Sequence, residues 1–228
     1  MTISVWILGD QLIPDHPALK AAANQAALDD MQVLMSESDA RARRKHYHPH
    51  KLVLLFSAMR HYAENLREHG FKVDYRKASD MCSALAEHIA AFQPQSLITV
   101  CASSFRGQRY QETLEKLFGI PVQILPNTAF LTNQFDPFPD IGKEDQIRQE
   151  SFYRAMRRHF NILMDEKGDP LGGQWNFDKK NRQPLPKDID IPPIVHFEPD
   201  EIIKEVIALV AEKYPWTGET SEFDLAVT

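Results

Sequence analysis

The residues best suited to chemistry stand in three places. The first is Leu8-Gly9-Asp10-Gln11-Leu12, where an acid and an amide follow an apolar run. One glycine stands where a dinucleotide fingerprint needs G-x-G-x-x-G, so the backbone cannot approach a pyrophosphate closely. Asp10 and Gln11 suit hydrogen bonds to a heterocycle or a polyol; Asp10 equally suits the cap of a turn or of the next helix, and both readings stay open. The second place is Glu37, in Met35-Ser36-Glu37-Ser38. Its carboxylate can accept from a ring N–H or polyol hydroxyls, or stand as a solvated loop acid. The third is RARRKHYHPHK, residues 41–51. His46, His48 and His50 would bind zinc only with a further ligand, and neither cysteine stands at finger spacing. Its arginines suit phosphate contact, and a solvated loop is the plainer reading. No P-loop, Ser-His-Asp triad or convincingly placed pair of catalytic acids is legible.

The 228 residues fit one large domain or a domain with an appended segment. Hydrophobic residues make up 43% and charged residues 25%, enough for a sizeable core. The formal net charge of -6 speaks against a nonspecific DNA binder, which needs a concentrated basic surface, and leaves room for a local basic face. Cys82 and Cys101 form no CxxC pair and read as small buried residues of a reducing compartment. The start carries no basic leader and no later apolar run spans a bilayer, so the expected location is cytoplasmic, with no membrane partner and no metal.

The elements that position these residues follow from pattern. Apolar runs at residues 3–8, 31–35 and 52–56 read as buried strands. Residues 58–68, with Met59, Tyr62 and Leu66 at helical spacing and Gly70 beyond, read as a helix. Phe71, Val73 and Tyr75 alternate as a strand. Residues 81–92 read as a helix, 97–101 as a strand, 108–118 as a helix and 122–125 as a last strand. Strands alternating with helices predict an α/β fold with a doubly wound parallel sheet of five or six strands. Ligands of such sheets sit beyond the carboxyl ends of the strands, which is where Asp10 and Glu37 fall. Beyond residue 130 the pattern loosens. Residues 152–164 predict a helix with Phe152, Met156, Phe160 and Leu163 on one side and Arg154, Arg157 and Arg158 largely opposite. Residues 168–193 predict a long loop, and 201–213 an amphipathic helix behind Pro199. The expected organisation is an α/β domain over 1–130 and a helical and looped linker over 131–228.

Taken together, separated blocks resemble the deoxyribodipyrimidine photolyase-related protein family of iron–sulfur bacterial cryptochromes and photolyases. They are Leu8-Gly9-Asp10-Gln11-Leu12; His48 and Lys51 leading into Phe56-Ser57-Ala58-Met59-Arg60-His61; Phe152-Tyr153-Arg154-x-Met156-Arg157-Arg158; Leu163-Met164; and Gly172-Gly173-x-Trp175-Asn176-Phe177-Asp178 with Asn181-Arg182. Their order and spacing across nearly the whole chain carry the resemblance. It implies a protein about twice as long, whose missing C-terminal catalytic domain would hold FAD and a 4Fe-4S cluster. It implies repair of UV-damaged DNA, or light signalling, in that full-length protein, and no such activity in this chain alone. It also implies an antenna chromophore here, 6,7-dimethyl-8-ribityllumazine, with Asp10, Gln11 and Glu37 matching the family's pocket residues by position. Lys51 and Leu52, at the start of the expected third strand, are further candidates. The stretch Ala102-Ser103-Ser104-Phe105-Arg106 departs from the family, lacking the acid and glycine many relatives show there. The alternative from another class is a stand-alone α/β protein or enzyme acting on a small ligand or nucleotide.

Overall fold

In the computed structural model of the chain, which describes residues 2–142, 145–178, 181–184, 186, 188–216 and 218–227, five strands form one parallel sheet. They are β1 (Ile3–Trp6), β2 (Met31–Ser38), β3 (Lys72–Ala78), β4 (Ser96–Val100) and β5 (Val122–Leu125), in the order β3-β2-β1-β4-β5. Every neighbouring pair is parallel. Successive strand residues face opposite sides of a sheet. In and just beyond β1 this sends Ile3, Val5 and Ile7 into one core, and Trp6 and Leu8 into the other. Helices α1 (Pro17–Ala23), α2 (Asp39–Arg43), α3 (Pro49–Glu68) and α8 (Glu201–Lys213) bury their apolar sides in the first core. Helices α4 (Met81–Phe92), α5 (Phe105–Gln111) and α6 (Leu114–Phe118) contribute to the second. The sheet is thus doubly wound, with its switch in strand order between β1 and β4.

The run at 52–56 is helix, not strand. Pro49 occupies the first turn of α3, where its missing N–H costs nothing and its fixed φ suits the helix. Buried Leu52, Val53, Phe56, Met59, Ala63 and Leu66 then recur with helical spacing on the sheet-facing side. The same start opens α1, an element the periodicity misses. His16 precedes Pro17 as His48 precedes Pro49, and each imidazole Nδ1 accepts a backbone N–H two residues on, at 3.3 Å from Ala18 and 3.2 Å from His50.

By its contacts the chain divides into residues 1–129 with 195–228, and residues 130–194. The expected linker over 131–228 is therefore interrupted. From Val195 onward the chain returns to the α/β unit because α8 has an apolar side to bury: Ile203, Val206 and Val210 all enter the first core. Truncating the fully buried Val206 to alanine should cost the unit about 2 kcal/mol, in lost transfer energy and a residual cavity. Urea unfolding checks this, with the exposed Glu212→Ala as a control expected to change little.

The second unit contains α7 (Gln149–Phe160). The helix stops before residue 164 because Asn161 turns left-handed, with φ of 53°. Leu163 is exposed rather than on the apolar side. Arg157, expected on the outer face, is buried: it donates to the carbonyls of Ile162 and Leu163, in the turn that follows the helix, and to the Tyr153 hydroxyl. The indole of Trp175 lies 4.7 to 5.4 Å from the guanidinium carbons of Arg158, Arg154 and Arg157, a cation–π cluster. Leu185 and Thr228 lie outside the described residues. Among those residues, no helix is long and apolar enough to cross a membrane.

Candidate functional site

A cleft of about 340 Å³ opens at the carboxyl ends of β1, β2 and β4, within the α/β unit. Two loops, a strand end and a helix supply its principal residues. The loop after β1 brings Asp10, the end of β2 brings Ser36 and Glu37, the loop after β4 brings Ser103, and α3 brings Lys51, Leu52 and Met59. Trp6, Leu8, Phe56 and Tyr110 add apolar and aromatic wall. Few polar groups converge on a largely apolar surface, the usual make-up of a small-molecule site.

Each polar group has a distinct standing. Asp10 accepts a hydrogen bond from the Ser103 hydroxyl at 2.9 Å, so the loops after β1 and β4 are tied across the switch point. It therefore braces the cleft wall rather than capping α1, whose cap is His16. Glu37 is no solvated loop acid. It is 6% exposed and accepts from Arg60 Nε at 2.7 Å, from an Arg60 terminal nitrogen at 3.2 Å and from the Tyr75 hydroxyl at 2.7 Å. Burial on its own would lower the Arg60 guanidinium, but the bond to Glu37 and its charge outweigh that and hold it above the ordinary value. Burial first, then Glu37, pushes the Tyr75 phenol far up. The Ser36 hydroxyl is buried against the cleft and has no hydrogen-bond partner among the described residues. Lys51 sits 4.7 Å from the centre of the Tyr47 ring, at a wall position in the first turn of α3 and not at a strand start. Leu52 lines the wall beside it.

Gln11 does not line the cleft. Its buried amide donates to the carbonyls of Val100 at 3.3 Å and Cys101 at 3.0 Å, fastening the loop after β1 to the end of β4. Of the five residues expected at the site, the structure thus brings together Asp10, Glu37, Lys51 and Leu52, with Gln11 behind them. Ser36, Arg60, Tyr75 and Ser103 complete the polar set. Ser36 adjoins Glu37 in sequence, but a serine's lack of a partner is visible only in three dimensions. Gly9 also gains an explanation. A Cβ there would lie 2.7 Å from Met59 Sδ, so the glycine lets the loop pack on α3 rather than serving a phosphate.

A second polar chain lies under the sheet. The Ser4 hydroxyl meets His88 Nε2 at 2.7 Å, and His88 Nδ1 meets Asp74 at 2.7 Å. The order is that of a hydrolytic triad, which the sequence does not betray. Ser4 and His88 are both fully buried, so no substrate reaches the hydroxyl; the chain fastens α4 across β2 to β1 and β3. The histidines at 46, 48 and 50 turn to other work: His46 lies 5.4 Å from the Trp216 ring, His50 lies 5.5 Å from Phe223, and His48 caps α3. Among the described residues, no three His, Cys, Asp or Glu side chains are placed to hold a metal.

Comparison with known proteins now bears on this arrangement. The family described as deoxyribodipyrimidine photo-lyase-related protein matches residues 5–225. A (6-4) photolyase of Agrobacterium fabrum is 33% identical over 235 residues, which take in 100% of this chain and 45% of the photolyase. An uncharacterized protein of Acanthamoeba polyphaga mimivirus is 25% identical over 146 residues, covering 62% of this chain and 74% of its own length. Among solved structures, a bacterial class III photolyase from Agrobacterium tumefaciens shares the fold, with a TM-score of 0.50 and 15% identity over 68% of this chain and 31% of that one. The chain spans less than half the length of the photolyase it matches throughout. With a match that runs almost from end to end, the chain belongs to the deoxyribodipyrimidine photo-lyase-related protein family.

Proposed function

We propose that this chain is the antenna-chromophore-binding domain of a photolyase- or cryptochrome-like DNA repair flavoprotein, and that its cleft takes 6,7-dimethyl-8-ribityllumazine. One observation carries the reading. The strand-end cleft of a doubly wound sheet has an acid, Asp10, in the turn where a nucleotide's phosphates would sit, and a buried hydroxyl, Ser36, that still wants a partner. A carboxylate there repels phosphate, whereas a neutral ring with a polyol arm supplies the donors that Asp10 accepts and the acceptors that Ser36 needs. The volume of about 340 Å³ falls in the range of small-ligand sites, about 300–1,000 Å³.

The chain's residues bind, orient and exclude water. Trp6, Leu52, Phe56 and Met59 present an apolar wall to a flat ring, and the Glu37–Arg60–Tyr75 cluster fixes the end of β2 so that Ser36 cannot drift. A bound lumazine would supply absorption of light and passage of its excitation to a flavin. No side chain need move a proton.

FAD and a 4Fe-4S cluster do not fit here. The first loop is no pyrophosphate cradle, and Cys82 and Cys101 fall short of four thiolates. We assign both groups, and contact with damaged DNA, to a C-terminal catalytic domain that would be this chain's partner in a full-length, cytoplasmic protein. Calorimetric titration of the chain with the lumazine, FAD and NAD tests the cleft assignment. The lumazine should bind tightest, and Ser36→Ala should weaken it by about 1–3 kcal/mol, the usual range for a lost buried hydrogen bond. Tighter binding of either dinucleotide would instead favour a nucleotide-dependent protein.

A further inference from the structure

We propose that Arg41 and Lys51 form an anion subsite in the cleft, and that the molecule held there carries a phosphate monoester at the far end of its polyol arm. This rests on the small-molecule reading of the cleft and narrows it from a free arm to an esterified one. Both side chains line the cleft and both are exposed. Neither meets an acid. Arg41 makes no side-chain hydrogen bond, ion pair or ring contact among the described residues, and Lys51 has the Tyr47 ring as its one such contact. Arg43, in the same helix α2, is by contrast engaged: it donates to Asp39 at 2.7 Å and to the Lys213 carbonyl at 3.0 Å.

The acids of the lining do not answer these two cations. Glu37 is already met by Arg60, which lies behind the wall, and that leaves Asp10. Asp10 belongs to a different part of the cleft. A Cβ on the preceding Gly9 would lie 2.7 Å from Met59 Sδ, so the loop that carries Asp10 packs at the level of Met59. Lys51 stands about two turns earlier on α3, about 12 Å along the axis at a rise of about 1.5 Å per residue. A bicyclic ring and an extended ribityl arm together cover such a separation. The ring then lies towards Asp10 and the arm ends among the cations. Lys51 also occupies the first turn of α3, where the helix dipole repels a cation and no acid offsets it. A bound anion relieves that repulsion. The Arg41 backbone is fixed at the end of β2, because its N–H donates to the Ser38 hydroxyl at 3.2 Å. A guanidinium matches two oxygens of a phosphate and an ammonium adds a point charge, so the pair suits a monoester. Beside an apolar wall the attraction exceeds that of the same charges on an open surface.

The experiment titrates the whole chain with 6,7-dimethyl-8-ribityllumazine and with its 5′-phosphate, which share one ring and one arm. At low salt the ester should bind about tenfold tighter or more, and the preference should shrink as salt is raised. Arg41→Gln and Lys51→Gln should each bring the ratio of the two dissociation constants towards one, and Arg41→Lys should keep most of it. Equal binding of the two probes, or a preference that persists in both glutamine variants, would overturn the proposal and leave the cleft assignment standing. Inorganic phosphate binding as tightly as the ester would overturn it too, since the ring would then add nothing. Binding of the ester alone would uphold the subsite and remove the free lumazine from the cleft. Failure of both probes to bind the wild-type chain would overturn subsite and cleft assignment together.

Discussion

Replacing Arg60 with methionine should destabilise the α/β unit by about 3–5 kcal/mol, the largest effect expected of any single side chain near the cleft. The Arg60 side chain is 11% exposed and bonds to both carboxylate oxygens of Glu37, itself almost fully buried. Methionine preserves much of the stem's packing and removes only the charge, leaving a carboxylate out of water with the Tyr75 hydroxyl as its remaining strong donor. The loss is therefore chiefly an unpaired charge rather than a lost attraction. The double variant Arg60→Met, Glu37→Gln separates the two, because without the acid the penalty disappears; it should recover most of the lost stability. Urea unfolding of the four proteins measures the cycle. A loss below about 1 kcal/mol in the single variant would mean that water reaches Glu37 freely, and that the pair is no fixed part of the cleft.

Lowering the pH from 7 to 4 should remove about 3 kcal/mol through His16 alone. Burial pushes this imidazole from its ordinary value down to about 4, whereas in the unfolded chain it titrates near 6.5. A depressed histidine means that the unfolded state takes up the proton first. Its contribution is complete above 6.5, falls as pH drops through the window from 6.5 to about 4, and is gone below that. Geometry supplies the reason. Nδ1 must stay unprotonated to accept the Ala18 N–H that starts α1, and the buried Nε2 meets no acceptor among the described residues. His88 is lowered too, by burial against a smaller opposing pull from Asp74, and adds to the slope in the same sense. His16→Asn keeps a side-chain cap that does not titrate. It should flatten stability over pH 6.5 to 4 relative to the parent chain. An unaltered slope would show that carboxylates govern the acid limb instead.

The parts of this molecule that were legible in the sequence are those set by one strong local rule. The strands at 3–6, 31–38 and 96–100 announce themselves by their apolar runs because both faces of the sheet's centre are buried. The run Leu52-Val53-Leu54-Leu55-Phe56 misleads for the same reason: five consecutive apolar residues satisfy a buried strand and a buried helix equally. The decisive signal was Pro49 three residues earlier, and His16-Pro17 would have revealed α1 by the same rule. Glu37 stands out by its place at the end of the second apolar run, but its pairing does not, since Arg60 lies 23 residues away and Tyr75 lies 38 away. Gln11 is hidden in a different way. An amide beside an acid in a strand-end loop suggests a ligand, and only the fold reveals that its nitrogen fastens the loop to two carbonyls at the end of β4. The return of α8 to the first core was equally hidden, because an amphipathic helix states that it will pack and not against what.

The claim that the cleft is a chromophore site is tested most directly by what the purified chain carries. Its absorption spectrum should be recorded before and after saturation with 6,7-dimethyl-8-ribityllumazine, and the ligand released on denaturation identified by mass. The expected result is a lumazine band that persists through gel filtration, shifts on release and corresponds to one molecule per chain. A released flavin or nicotinamide dinucleotide, or a lumazine band that separates completely from the protein even after saturation, would contradict it.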